Sequence, residues 1–284
     1  MHTLGRSDVK LYYELSGHGP PVIFIQGVGV VGECWRPQIK FLSVEFETLL
    51  FDNRGIGKSQ PCEGPINIEA MADDARAIMD TAGWDSAHVV GHSMGGVIAQ
   101  QLALDCPQRV RSLSLLCTFG RGKDAARMTP WVMWMTLRTR MGTRRMRRQA
   151  FLEMLWPKTE LQTANLDKLA MKVGALVGRD LAENPSILIK QVRALARHDT
   201  SKRLPELAHI PTFVLSAEHD PIALPIYGQS LANSIPGARF ELMKGTSHGV
   251  TIQMANEVNQ LLSTWFGRVE DRLMRDRPLQ HQPE

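Results

Sequence analysis

Ser93 stands inside Gly91-His92-Ser93-Met94-Gly95-Gly96, a setting in which a serine serves chemistry better than packing. Val89 and Val90 close an apolar run before it, and Val97, Ile98, Leu102 and Leu104 follow at helical spacing. The pattern predicts a strand that runs straight into a helix through Gly-x-Ser-x-Gly. Such a turn is sharp and strained, and glycines at 91 and 95 let neighbouring backbone come close, so the serine oxygen stands above the strand end. The helix then aims its N-terminal amides at negative charge forming beside Ser93. The Met94 amide, next along the chain, is the first expected donor to an oxyanion. The bland alternative is a glycine-rich turn with an N-capping serine; the strand before and the helix after argue against it.

A serine hydroxyl is a poor nucleophile at neutral pH and needs a base, which itself needs an orienting acid. Two late loops supply candidates: Ser216-Ala217-Glu218-His219-Asp220-Pro221 and Lys244-Gly245-Thr246-Ser247-His248-Gly249. Asp220 is the expected acid and His248 the expected base, which gives the chain order nucleophile, acid, histidine. His219 as the base and Glu218 as the acid are the alternatives. His92, beside the serine, is expected to be a packing or hydrogen-bonding neighbour.

These residues need elements to position them. Short strands are predicted over 8–15, 21–26, 46–52, the run into Ser93, 112–117, 213–216 and 240–243. Helices are predicted over about 33–43, from a cap at Asn67 to Ala82 with Gly83 just beyond, from Ser93 to about Asp105, and over 250–266. Alternation of this kind predicts an α/β fold, a mostly parallel central sheet with helices on both faces. Gln26, Asp52, Ser93, Ser216 and Met243 then fall at the carboxyl ends of strands, where such sheets bind ligands. The alternation breaks between Gly120 and Pro205, where the chain reads as helices with Trp131, Trp134, Trp156 and many methionines. The expected organisation is a core of residues 1–119 and 205–267, an inserted helical cap over 120–204, and a polar, frayed tail over 268–284.

The chain resembles the α/β-hydrolase fold superfamily over about residues 8–266. Besides the serine turn and the two late loops, Asp52-Asn53-Arg54-Gly55-Ile56-Gly57-Lys58-Ser59 is similar to the family's D-x-R-G-x-G-x-S loop, and Trp35 follows the glycine turn Gly27-Val28-Gly29. Asp52 and Arg54 are expected to pair and hold their loop. The resemblance puts a second oxyanion donor on the Val28 amide. There the chain departs from the family, with Gln26-Gly27 where His-Gly is common; a backbone donor survives the change, while Gln26 alters how the loop is braced. The resemblance implies a serine hydrolase cleaving carboxylic esters or lactones of small to medium apolar acyl groups, without a cofactor. Rival readings are a C–C bond hydrolase or cofactor-free perhydrolase on the same residues, and a ligand receptor that turns over slowly. A serine at the turn argues against the family's epoxide hydrolases and haloalkane dehalogenases, which attack with a carboxylate.

Bulk properties narrow the field. A chain of 284 residues with 43% hydrophobic and 22% charged residues suits one large globular domain with an insertion. No stretch nears the roughly 18 apolar residues of a membrane span, and Met1 to Lys10 lacks the apolar segment of a secretory signal. Cys34, Cys62, Cys106 and Cys117 lack metal-ligand spacing and read as reduced thiols of a cytoplasmic protein, with no metal site. Arg138, Arg140, Arg144, Arg145, Arg147 and Arg148 crowd one stretch, with no acidic residue between Asp124 and Glu153. The favoured reading is a solvated helix face with ion pairs to the body. The sharper one is contact with anionic lipid surfaces or acidic substrates, with Trp131 to Leu137 supplying apolar area. Nucleic-acid binding is not expected from one basic patch without a recognised module.

Overall fold

The computed structural model describes residues 1–125 and 130–276. Its strands are β1 (His2–Gly5), β2 (Lys10–Ser16), β3 (Pro21–Ile25), β4 (Glu47–Phe51), β5 (Ala87–His92), β6 (Val110–Leu116), β7 (Thr212–Ala217) and β8 (Arg239–Met243). They form one sheet in the order β1-β2-β4-β3-β5-β6-β7-β8. The first two pairings are antiparallel and every pairing from β4 to β8 is parallel. Val22, Ile23, Phe24 and Ile25 are all 0% exposed. Successive strand residues point to opposite faces, so both faces of the sheet are covered, as the continuous apolar run predicts. β1 escapes the sequence pattern because it is an exposed edge strand, with no buried apolar face to mark it.

The helices are α1 (Arg36–Leu42), α2 (Ile68–Thr81), α3 (Met94–Asp105), α4 (Gly122–Ala125), α5 (Pro130–Arg138), α6 (Arg144–Leu155), α7 (Lys158–Thr163), α8 (Leu166–Val177), α9 (Ser186–Arg197), α10 (Pro225–Ser234), α11 (Val250–Gln253) and α12 (Ala255–Arg275). In the core, α1 packs with α12 and α2 with α3. The predicted cap of α2 is present, Asn67 Oδ1 accepting from the Ala70 amide at 2.7 Å. No described helix is long and apolar enough to cross a membrane.

Between β6 and β7 the described chain is helical, α4 to α9, in the place where the alternation breaks. This insert has its own small core of Leu152, Trp156, Ala170, Val173, Val177 and Leu181, against which Val30 and Ile252 pack from the sheet side. The arginines of α5 and α6 that form ion pairs do so within the insert rather than with the body. Arg138 bonds Glu153, and Arg144 and Arg148 converge on Asp180, Arg148 through contacts of 2.8 and 2.6 Å. The ions lie one helix apart because α5, α6 and the α8–α9 turn stack on one another.

Two further expectations change. The closing helix breaks at Met254 and runs on to Arg275 instead of fraying after Gly267. Val269 is buried, and the Glu270 carboxylate meets His88 Nε2 at 3.0 Å and Arg111 Nη1 at 3.1 Å, which anchors the last turns to the sheet. Residues 277–284 of the expected tail lie outside the described residues. Asp52 and Arg54 do not pair. Asp52 accepts from the Gly32 and Lys58 amides at 2.7 and 2.8 Å, whereas Arg54 forks onto buried Asp74 at 2.6 and 2.8 Å and also reaches Asp8.

Candidate active site

Ser93 sits between β5 and α3 with φ 56° and ψ −122°, a left-handed conformation that a serine adopts only under constraint. The constraint is visible. The Ser93 amide donates to Leu116 O at 3.0 Å, and Ser93 O accepts from Thr118 Oγ1 at 2.7 Å and from the Gly96 amide at 2.9 Å. A Cβ at Gly91 would lie 2.3 Å from Gly95 O, and one at Gly95 would lie 2.1 Å from Ile25 O. Only glycines let the turn close this tightly over the end of β3, which is why the motif needs them.

The expected acid and base meet. His248 Nδ1 donates to Asp220 Oδ2 at 2.7 Å, with both side chains buried. Asp220 Oδ1 accepts from the Ile222 and Ala223 amides at 2.8 Å each, so the carboxylate is clamped with one oxygen facing the ring. A carboxylate cannot donate, so the shared proton rides on His248 Nδ1 and Nε2 is left as the basic nitrogen. Ser93 and His248 line the same cavity. The alternatives Glu218 and His219 are exposed, and Glu218 is occupied with the Gly245 amide at 2.8 Å.

That cavity measures about 300 Å³ and is walled by both parts of the chain. Gln26, Gly27, Val28 and Trp35 come from the sheet side; Phe151, Met154, Val177, Leu188 and Val192 come from the helical insert. Gly27 lies against the serine, a Cβ there falling 3.2 Å from Ser93 Cβ, and Val28 lines the same cavity. As the first residue of α3, Met94 has an amide with no acceptor in its own helix. The loop after β3 is tied at both ends: Gln26 Nε2 donates to Gly32 O at 3.4 Å, and the Gly29 amide donates to Gln191 Oε1 of α9 at 2.8 Å.

His92, Cys117 and His248 carry ligand-type atoms within 4.8 Å of one another. Their chemistry disfavours a metal. His248 Nδ1 is committed to Asp220, His92 Nε2 bonds the His248 carbonyl at 2.9 Å, and the Cys117 thiol lies close to the Asp220 carboxylate. Burial pushes the Cys117 thiol well above its usual pKa, so it is no thiolate ligand. Burial likewise pushes the Cys34 thiol in the cavity wall up to about 12, which keeps it protonated beside Ser93. Burial, followed by the neighbouring His248, holds the His92 imidazole down to about 3, so it stays neutral.

The sequence profile of the family described as alpha/beta hydrolase fold matches residues 20–253. The chain belongs to this family. RutD of Azorhizobium caulinodans, a protein named for carbamate hydrolysis, is 28% identical over 263 residues, spanning 93% of this chain and 97% of its own. Among solved structures, a hydrolase from Pseudomonas aeruginosa PA01 superposes with a TM-score of 0.80 at 25% identity, covering 94% of this chain and 98% of its own. Est816, described as an N-acyl homoserine lactone degrading enzyme, gives a TM-score of 0.78 at 26% identity, covering 93% and 99%.

Two residues of the site carry no signal in the sequence. Cys117, at φ 46° just past β6, backs onto Asp220. Arg179 enters the cavity wall because α8 ends on Gly178 at φ 83°, which reverses the chain and turns the next residue inward. Apolar residues at helical spacing find helices; they do not say which residue a reversed chain end presents.

Proposed function

We propose that the protein is a serine hydrolase that cleaves carboxylic esters or lactones with small to medium apolar acyl groups. The observation that carries the reading is the clamped Asp220–His248 pair opening, with Ser93, onto one apolar cavity. His248 Nε2 takes the Ser93 proton as Oγ attacks the carbonyl carbon. The oxyanion is held by the Met94 and Val28 amides. Collapse breaks the bond to the alcohol oxygen, which leaves with the proton from His248. Water then attacks the acyl-enzyme by the same route, releasing the acid and restoring Ser93.

The cavity volume of about 300 Å³ is at the small end for ligand sites, which suits short and medium acyl chains. The 26% identity to a lactone-degrading structure over most of both chains supports including lactones. The deciding experiment is initial rates on 4-nitrophenyl esters from acetate to dodecanoate, with Ser93→Ala alongside. An optimum among short or medium chains, lost in the variant, is the expected result. Hydrolysis that survives Ser93→Ala would sink the mechanism, and a wild type inert on every ester would sink the substrate class.

A further inference from the structure

Arg179 is the only Asp, Glu, Lys or Arg among the described residues that line the cavity. Its guanidinium stands beside the loop that carries Val28, with Nη2 3.5 Å from where a Cβ of Gly29 would be. Nη1 donates to the backbone carbonyls of Glu183 and Asp180 at 3.2 and 3.5 Å, and the guanidinium carbon lies 5.4 Å from the centre of the Phe151 ring. Nε is fully buried with no hydrogen-bond partner. Among the described residues no carboxylate lies within ion-pair distance of it. The adjacent acids are committed elsewhere: Asp180 to Arg144 and Arg148, and Glu183 to Arg144 at 3.7 Å.

A cation in an apolar wall without a counter-ion is costly, and burial does lower the Arg179 pKa. Arginine stays charged regardless, and its planar fork matches a carboxylate. Perturbed, unpaired charges in clefts mark functional sites. The enclosed position suits the acyl half of a substrate, which stays on the serine through the second half-reaction while the alcohol departs. Resting on the serine-hydrolase reading, we propose that Arg179 receives a carboxylate carried on the far end of the acyl group. The substrates are then half-esters or lactones of dicarboxylic acids, and the acid product is a dicarboxylate.

The test compares mono-4-nitrophenyl succinate, glutarate and adipate with uncharged 4-nitrophenyl esters of equal chain length. The wild type should prefer the charged ester at one length or more. In Arg179→Gln the ratio of the two kcat/KM values should fall about 10- to 100-fold, and Arg179→Lys should restore part of it. A ratio that is the same in all three proteins overturns the proposal, as does wild-type discrimination against the carboxylate at every length. If Arg179→Gln does not fold, the wild-type ratio and Arg179→Lys decide. Thermal shift with glutarate and adipate reads the cation without turnover. A rise in Tm that the Gln variant loses supports the subsite even if no ester is hydrolysed, which separates it from failure of the hydrolase reading. No rise at millimolar dicarboxylate counts against it.

Discussion

His92 Nε2 donates to the backbone carbonyl of His248 at 2.9 Å, so the residue before the candidate nucleophile holds the main chain of the candidate base. A carbonyl only accepts, which fixes the proton on Nε2 of a neutral ring. The two imidazoles pack at 4.7 Å between centres, with Trp35 edge-on to His92 at 6.3 Å. Replacing His92 by Phe keeps the packing and removes the donor. We expect kcat to fall about 10- to 100-fold with KM nearly unchanged, and His92→Gln to recover part of the loss. Equal loss in kcat for both variants would argue against the hydrogen bond.

The same ring sets an acid limit on stability. Its pKa is about 3 in the fold against 6.5 unfolded, so between those values the unfolded chain binds the extra proton. Stability is full above about pH 6.5 and declines as pH falls toward 3, at no more than about 1.4 kcal/mol per pH unit. Buried His88, also lowered by burial, acts in the same direction. Urea unfolding between about pH 7 and 5 should show the slope, and His92→Gln should flatten it.

Asp220→Asn tests the clamp. The oxygen of an Asn must stay on the Ile222 and Ala223 amides, which turns its NH2 group toward His248 Nδ1. The imidazole then carries its proton on Nε2 and cannot accept from Ser93. A drop in kcat of about 10⁴ with little change in KM is expected from steady-state kinetics, by analogy with the same exchange in serine proteases.

Gly95→Ala should damage fold and site together. The added methyl meets backbone, Ile25 O at 2.1 Å, where nothing flexible can yield. The expected cost is about 3 kcal/mol, the upper part of the range for overpacking, read from the urea midpoint.

The Arg54–Asp74 fork is buried, 2% and 1% exposed, and lies away from the cavity. Arg54→Met leaves a carboxylate whose pKa burial already raises, although Arg6 still reaches it at 3.1 Å. Stability should drop by about 3 kcal/mol, the low end for breaking a buried pair. A loss below about 1 kcal/mol would contradict that reading of the pair.

The legible parts of the sequence were those fixed by strand ends. Ser93, Asp220 and His248 follow apolar runs that a parallel sheet must align, so their meeting needed no knowledge of distant packing. The pairing of Asp52 with Arg54 failed for the converse reason. The chain leaves β4 at Phe51 and turns from Asn53 onward, so the two side chains part, and the real partners, Gly32 and Asp74, come from other segments. The polar stretch after Gly267 misled because its helix is held by single contacts such as Glu270 with Arg111, not by an apolar stripe. Arg179 stayed hidden among many arginines, since its distinction is the absence, among the described residues, of a carboxylate partner in space.

The bond from the Gly29 amide to Gln191 joins the loop bearing the Val28 amide to α9, the helix that also presents Leu188 and Val192 to the cavity. Acyl selectivity and catalytic rate therefore share one mechanical joint. A lineage that reshapes α9 to admit a bulkier chain also re-aims the donor at the reacting carbonyl. Grafting a different helical roof onto this sheet calls for an acceptor in the place of Gln191 before any new substrate is turned over at speed.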